Sequence, residues 1–143
     1  METRYTSIFC LAVSGLVAAI LSGGVPAGLR SAHASEPTLQ ERGDALMKNV
    51  EEMMAHGGMG DAKAIVHHCA AAAGDAEAIL KQLPESDPRR IQAGAPLNEI
   101  IQQCQRVSAL GIHADPGQLL NPAIKARAAA RTSIKALGLA KTN

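Results

Sequence analysis

Apolar side chains recur along this chain in four stretches at spacings of three and four residues, the period of an amphipathic helix. In the first, Thr38-Leu39-Gln40-Glu41 reads as a capping box after Pro37, and Leu39, Leu46, Val50, Met53 and Met54 follow until Gly57. Gly57-Gly58-Met59-Gly60 reads as a tight connector. Asp61 then caps a second helix whose stripe is Ile65, Cys69, Ala72, Ala76, Ile79 and Leu83. Residues 84–96, with three prolines and the pair Arg89-Arg90, predict a linker by composition. The third helix shows Leu97, Ile100, Ile101, Cys104 and Val107 and stops at Gly111. Asp115-Pro116 caps the fourth, which carries Leu119, Leu120, Ile124, Ile134 and Leu137, and Pro122 is expected to kink or delay its start.

A shift of 54 positions pairs Gly57 with Gly111, Asp61 with Asp115, Lys81 with Lys135 and Leu83 with Leu137. The Gly, Asp and Leu matches fall at the same punctuation in each half, which predicts a duplicated helical hairpin. Short connectors make sequential helices antiparallel. The expectation is an all-α, up-down four-helix bundle: hairpin one over 38–83, a linker over 84–96 and hairpin two over 97–138.

The first 34 residues read differently. Arg4 lies in a short polar start, Ile8 to Leu21 form an apolar run, and Ala32-His33-Ala34 supplies an Ala-x-Ala cleavage signature, so residues 1–34 are expected to be a signal peptide cut after Ala34. The run is shorter than the roughly 20 residues of a spanning helix. Phe9 before Cys10 is too bulky for a lipoprotein site, and Cys10 comes too early in the apolar run. A periplasmic or secreted domain over 35–143 is expected, without a membrane association after cleavage.

Composition sharpens this picture. The chain is 47% hydrophobic and 19% charged, and its one tyrosine and one phenylalanine, Tyr5 and Phe9, both lie in the leader. The expected domain must therefore build its core from Ala, Leu, Ile, Val and Met, which suits a slim bundle of closely approaching helices. Of 14 basic and 13 acidic residues, Arg4, Arg30 and Glu2 fall in the leader, so the domain is charge-balanced and nothing favours nucleic acid. There is no Cys-x-x-Cys, His-Glu-x-x-His, nucleophile elbow or phosphate loop, so no enzyme is expected. Cys69 and Cys104 each lie centrally in an apolar stripe, and a disulfide and a pair of buried thiols are both compatible with that placement.

Polar residues repeat every seven positions along the first hairpin: Arg42, Asn49 and His56 on one helix, Asp61, His68, Asp75 and Gln82 on the next. Two turns separate successive members, so each set shares a face, and an antiparallel turn opposes His56 to Asp61, Asn49 to His68 and Arg42 to Asp75. Successive members rise by about 10.5 Å, so a metal site must be built across the hairpin rather than along one stripe. The richest cluster lies at the tip, where His56, Met59 and Asp61 meet with Met53 or Met54 one turn back. Imidazole with thioether suits copper, and imidazole with carboxylate suits zinc, nickel or copper. His67-His68-Cys69 does not chelate as a set, because adjacent helical residues point about 100° apart, and His67 is expected to face solvent.

The segment Asn49-Val50-Glu51-Glu52-Met53-Met54-Ala55-His56-Gly57, continuing through Gly60, Val66, His68 and Ala72, resembles the small metal-binding protein family of bacterial periplasms. The resemblance implies a four-helix bundle that binds a divalent or copper ion. His56 and His68 fall on family histidines and Gly57 and Gly60 on its turn, while Asn49, Asp61 and Asp75 stand where histidine is the rule. In the second repeat Leu110, Asp115 and Pro122 take histidine positions. The resemblance thus implies a weak site at the first hairpin through His56 and His68 with Asp61, Asp75 and Met59. The competing reading is a structural or protein-interaction bundle, monomeric or dimeric, in which Arg42 and Asp75 fix hairpin register.

Overall fold

The computed structural model describes residues 36–139. The expected leader and its cut after Ala34 lie outside them. Four helices follow one another: α1 (Leu39–Gly58), α2 (Ala62–Gln82), α3 (Pro88–Leu110) and α4 (Pro116–Ala136). Each packs on its sequence neighbour and α1 also packs on α4, so the helices close into an up-down-up-down bundle.

The core explains the closure. Buried positions run Leu46, Val50, Met53 in α1 and Ile65, Cys69, Ala72, Ala76, Ile79 in α2. They run Leu97, Ile100, Cys104, Val107 in α3 and Leu119, Ala123, Ala126, Ala130 in α4. Every step is three or four residues, so each helix presents one coiled-coil-like seam to the axis. The seams repeat at the 54-residue shift: Leu46, Val50 and Met53 map onto Ile100, Cys104 and Val107, while Ile65, Cys69 and Ala76 map onto Leu119, Ala123 and Ala130. Burial therefore follows the internal repeat even where residue identity does not. Alanine at five of the buried α2 and α4 positions named here brings these helices close enough to touch across the diagonal.

Helix starts follow their caps. Thr38 and Glu41 form the reciprocal capping box, with the Thr38 hydroxyl accepting from the Glu41 amide. Asp61 caps α2 through Ala64 N at 3.0 Å. Gly60, at φ 75°, makes the turn between them, a conformation glycine adopts without strain.

The linker expected over 84–96 is shorter than that: α3 begins at Pro88 and runs through Pro96. Asp87 caps it by accepting from Arg89 N at 2.8 Å, and Pro88 occupies the first turn, where its missing N–H costs nothing. Arg90 then reaches back to donate to the carbonyls of Leu80 and Leu83 at the C-terminus of α2, satisfying orphan acceptors at the negative end of that helix. Pro122 neither delays nor interrupts α4, whose start is set by Asp115 and Pro116.

Cys69 and Cys104 form a disulfide that joins α2 to α3, with Cα atoms 5.2 Å apart. On the opposite seam Glu51 of α1 pairs with Arg127 at 2.6 Å and Arg131 at 3.0 Å on α4. The hydrogen bond from Arg127 is the chief reason the Glu51 carboxyl is held below its ordinary range.

Candidate metal centre

The site grows out of the α1–α2 turn. The His56 carbonyl accepts from Met59 N and Asp61 N, both at 3.1 Å, so the backbone of this histidine anchors the reversal. Glu52 lies one turn before it on the same face of α1. On α2, His68 lies two turns beyond the Asp61 cap and faces back across the hairpin. Glu52, His56 and His68 are all partly buried, and one ligand atom from each lies within 4.8 Å of the other two. The His56 and His68 rings stack with centroids 5.3 Å apart and planes inclined by 17°.

Two imidazoles and a carboxylate are a donor set for zinc, nickel or copper(II). Tetrahedral zinc with bonds of about 2.0–2.1 Å holds its ligand atoms roughly 3.4 Å apart. An ion would therefore draw this group in by at most about 1.4 Å from its 4.8 Å span. Each ring also has a polar neighbour at Nδ1. His56 Nδ1 is shut off from solvent with no hydrogen-bond partner, and it lies 3.8 Å from Asp61 Oδ2, the oxygen not used for capping. His68 Nδ1 lies 3.3 Å from Asn49 Oδ1, and Asn49 Nδ2 donates to Asp75 Oδ2 at 3.0 Å.

Electrostatics favour the ligating form. Burial, reinforced by the neighbouring His67 and His56, lowers the His68 pKa, and Glu52 opposes the shift. The neutral imidazole a metal needs is thus the form this environment prefers. Burial raises the Asp75 pKa, while the hydrogen bond from Asn49 and the charge of Arg42 pull the other way.

The expected site residues divide into three groups. His56 and His68 are brought together, and Asp61 lies behind His56. Asp75 lies one hydrogen-bonded residue away from His68, on Asn49, rather than among the three converging groups. Met59 is 70% exposed at the turn, and Met53 is fully buried in the core. His67 is exposed, as expected, and meets His68 edge-on. Arg42 pairs with Glu36 at 3.6 Å and acts on Asp75 through its charge. Glu52 is the member that the seven-residue pattern missed; the signal for it is the Glu-x-x-x-His spacing, which stacks the two side chains on one helix face.

No protein family, no curated protein and no solved structure matches this chain.

Proposed function

We propose that this chain is an exported, non-enzymatic metal-binding protein that buffers zinc, nickel or copper(II) at a single weak site made by Glu52, His56 and His68. The observation that carries the reading is the convergence of these three side chains from two helices to within 4.8 Å. The neutral state favoured at His68 and the unpartnered Nδ1 of His56 support it. Two imidazoles with a carboxylate form a harder donor set than copper(I) prefers, and Met59 is 70% exposed at the turn. Calorimetric titration of the oxidised protein with each of the three metals, repeated on His56→Ala and His68→Ala, tests the proposal. One equivalent bound at micromolar affinity, weakened by either substitution, supports it; no heat above dilution overturns it.

A second reading has its own observation. Hydrogen bonds join His68 and Asp75 of α2 to Asn49 of α1, and such a chain can serve to lock hairpin register in a purely structural or interaction bundle.

A further inference from the structure

From the same three hydrogen-bonding groups we infer that Asn49 and Asp75 are positioning residues that hold His68 in its Nδ1–H tautomer, so that Nε2 is the nitrogen presented to a metal. The metal half of this statement rests on the function proposed above; the tautomer half does not.

The argument is one of donors and acceptors. An ionised carboxylate only accepts. The oxygen of Asp75 that lies 3.0 Å from the Asn49 side chain must therefore receive an N–H, which assigns Nδ2 of the amide to that side. The amide oxygen then points at His68, with Nδ1 of the ring 3.3 Å away. Two acceptors do not bond, so the proton of the neutral imidazole belongs on Nδ1 and the lone pair on Nε2. The orientation of an amide and the tautomer of an imidazole are ordinarily free choices. Here a single carboxylate two positions away along the chain of contacts removes both.

The arrangement matches the logic by which metal-ligating histidines give their second N–H to a fixed acceptor, which sets ring orientation and raises ligand basicity. It also gives Asp75 a place. It lies outside the donor group, yet it is joined to His68 through the Asn49 amide. At His56 the nearest carboxylate, Asp61 Oδ2, is 3.8 Å from Nδ1 and makes no hydrogen bond to it.

Nitrogen NMR of the ¹⁵N-labelled, oxidised protein without metal, at a pH where His68 is neutral, reads the tautomer directly. The expected spectrum has the protonated-nitrogen shift on Nδ1 of His68 and the bare-nitrogen shift on Nε2. Asp75→Asn frees the amide to turn either way and is expected to move His68 toward a mixture of tautomers. Circular dichroism on the variant confirms that the bundle remains folded. Adding zinc should then shift Nε2 in the wild type, and Asp75→Asn should bind zinc about 10–100-fold more weakly. An Nε2–H signal in the wild type, or a folded Asp75→Asn variant with an unchanged tautomer, overturns the inference. A fixed Nδ1–H tautomer that does not respond to zinc instead overturns the metal function and leaves the relay as a register lock.

Discussion

The disulfide between Cys69 and Cys104, with Cα atoms 5.2 Å apart, ties the second helix of one hairpin to the first helix of the other. It crosses the lateral α2–α3 seam, where the connection between the hairpins is a short turn. Cross-linking residues 35 positions apart restricts the unfolded chain. Replacing both cysteines by serine is expected to lower stability by about 2–5 kcal/mol, read as a fall in the denaturant midpoint. The proposed metal group, Glu52, His56 and His68, lies wholly within hairpin one, so zinc affinity of the folded double variant should match the wild type.

The internal repeat predicts a second bridge. A 54-residue shift carries Cys69 onto Ala123 and Cys104 onto the same register as Val50, and α4 packs on α1 as α2 packs on α3. Val50 and Ala123 are both fully buried. The variant Val50→Cys, Ala123→Cys is expected to form a disulfide under air oxidation, seen as loss of titratable thiol and a higher unfolding temperature. Free thiols that persist after oxidation would show that the two lateral seams are not equivalent.

Two prolines sit inside helices that would be more stable without them. Pro96 in α3 and Pro122 in α4 each remove a backbone donor from an otherwise continuous ladder. Pro96→Ala should raise stability by about 1–3 kcal/mol, measured by urea unfolding. No gain would mean that the surrounding packing has adapted to proline at this position.

Acid sensitivity should carry two opposite contributions from the hairpin. The folded-state pKa of His68 is lowered, so the unfolded chain takes up its proton first. Stability from this group is present above the unfolded histidine range, near pH 6.5, and is lost as pH falls through it. The folded-state pKa of Asp75 is raised, so its contribution is present below the unfolded carboxylate range and is lost as pH rises through the raised value. His68→Gln should flatten the fall in stability on acidification near pH 6, and Asp75→Asn should change the slope only at lower pH. Identical pH profiles for both variants would contradict these assignments. Because metal competes with protons for the imidazoles, zinc affinity should fall over the same acidic range.

Much of this fold is written locally in the chain. The seams of small aliphatic residues at three- and four-residue steps, the capping box at Thr38 and the Asp115-Pro116 start each act within one or two turns, so a linear reading captures them. The start of α3 carried the same kind of signal. Asp87-Pro88 is the same cap-and-proline pair as Asp115-Pro116, but in a stretch with two further prolines and paired arginines the composition reads as linker. What it lacked was Arg90, whose contacts to α2 carbonyls exist only once the hairpins dock.

The site was legible in part for a comparable reason. Opposing the two seven-residue stripes brings His56 near Asp61 and Asn49 near His68, and both proximities occur. It also opposes Arg42 to Asp75, whereas Asp75 takes its hydrogen bond from Asn49, because one amide can accept from His68 and donate to Asp75 at once. Glu52 escaped because a period of seven samples every second turn and passes over the neighbour at i−4. The pairing of the cysteines depends on which helices are lateral neighbours, a property of bundle closure rather than of either stripe.

The most direct test of the central claim compares two adjacent glutamates. Glu52 belongs to the group with His56 and His68, and Glu51 turns to Arg127 and Arg131 on α4. Zinc titration of Glu52→Gln and Glu51→Gln in the oxidised protein separates the site from the general charge of the helix. Roughly tenfold or greater loss of affinity in Glu52→Gln, with Glu51→Gln equal to the wild type, is the result predicted for a coordinating carboxylate. Equal affinities in all three proteins would contradict a metal centre at this hairpin.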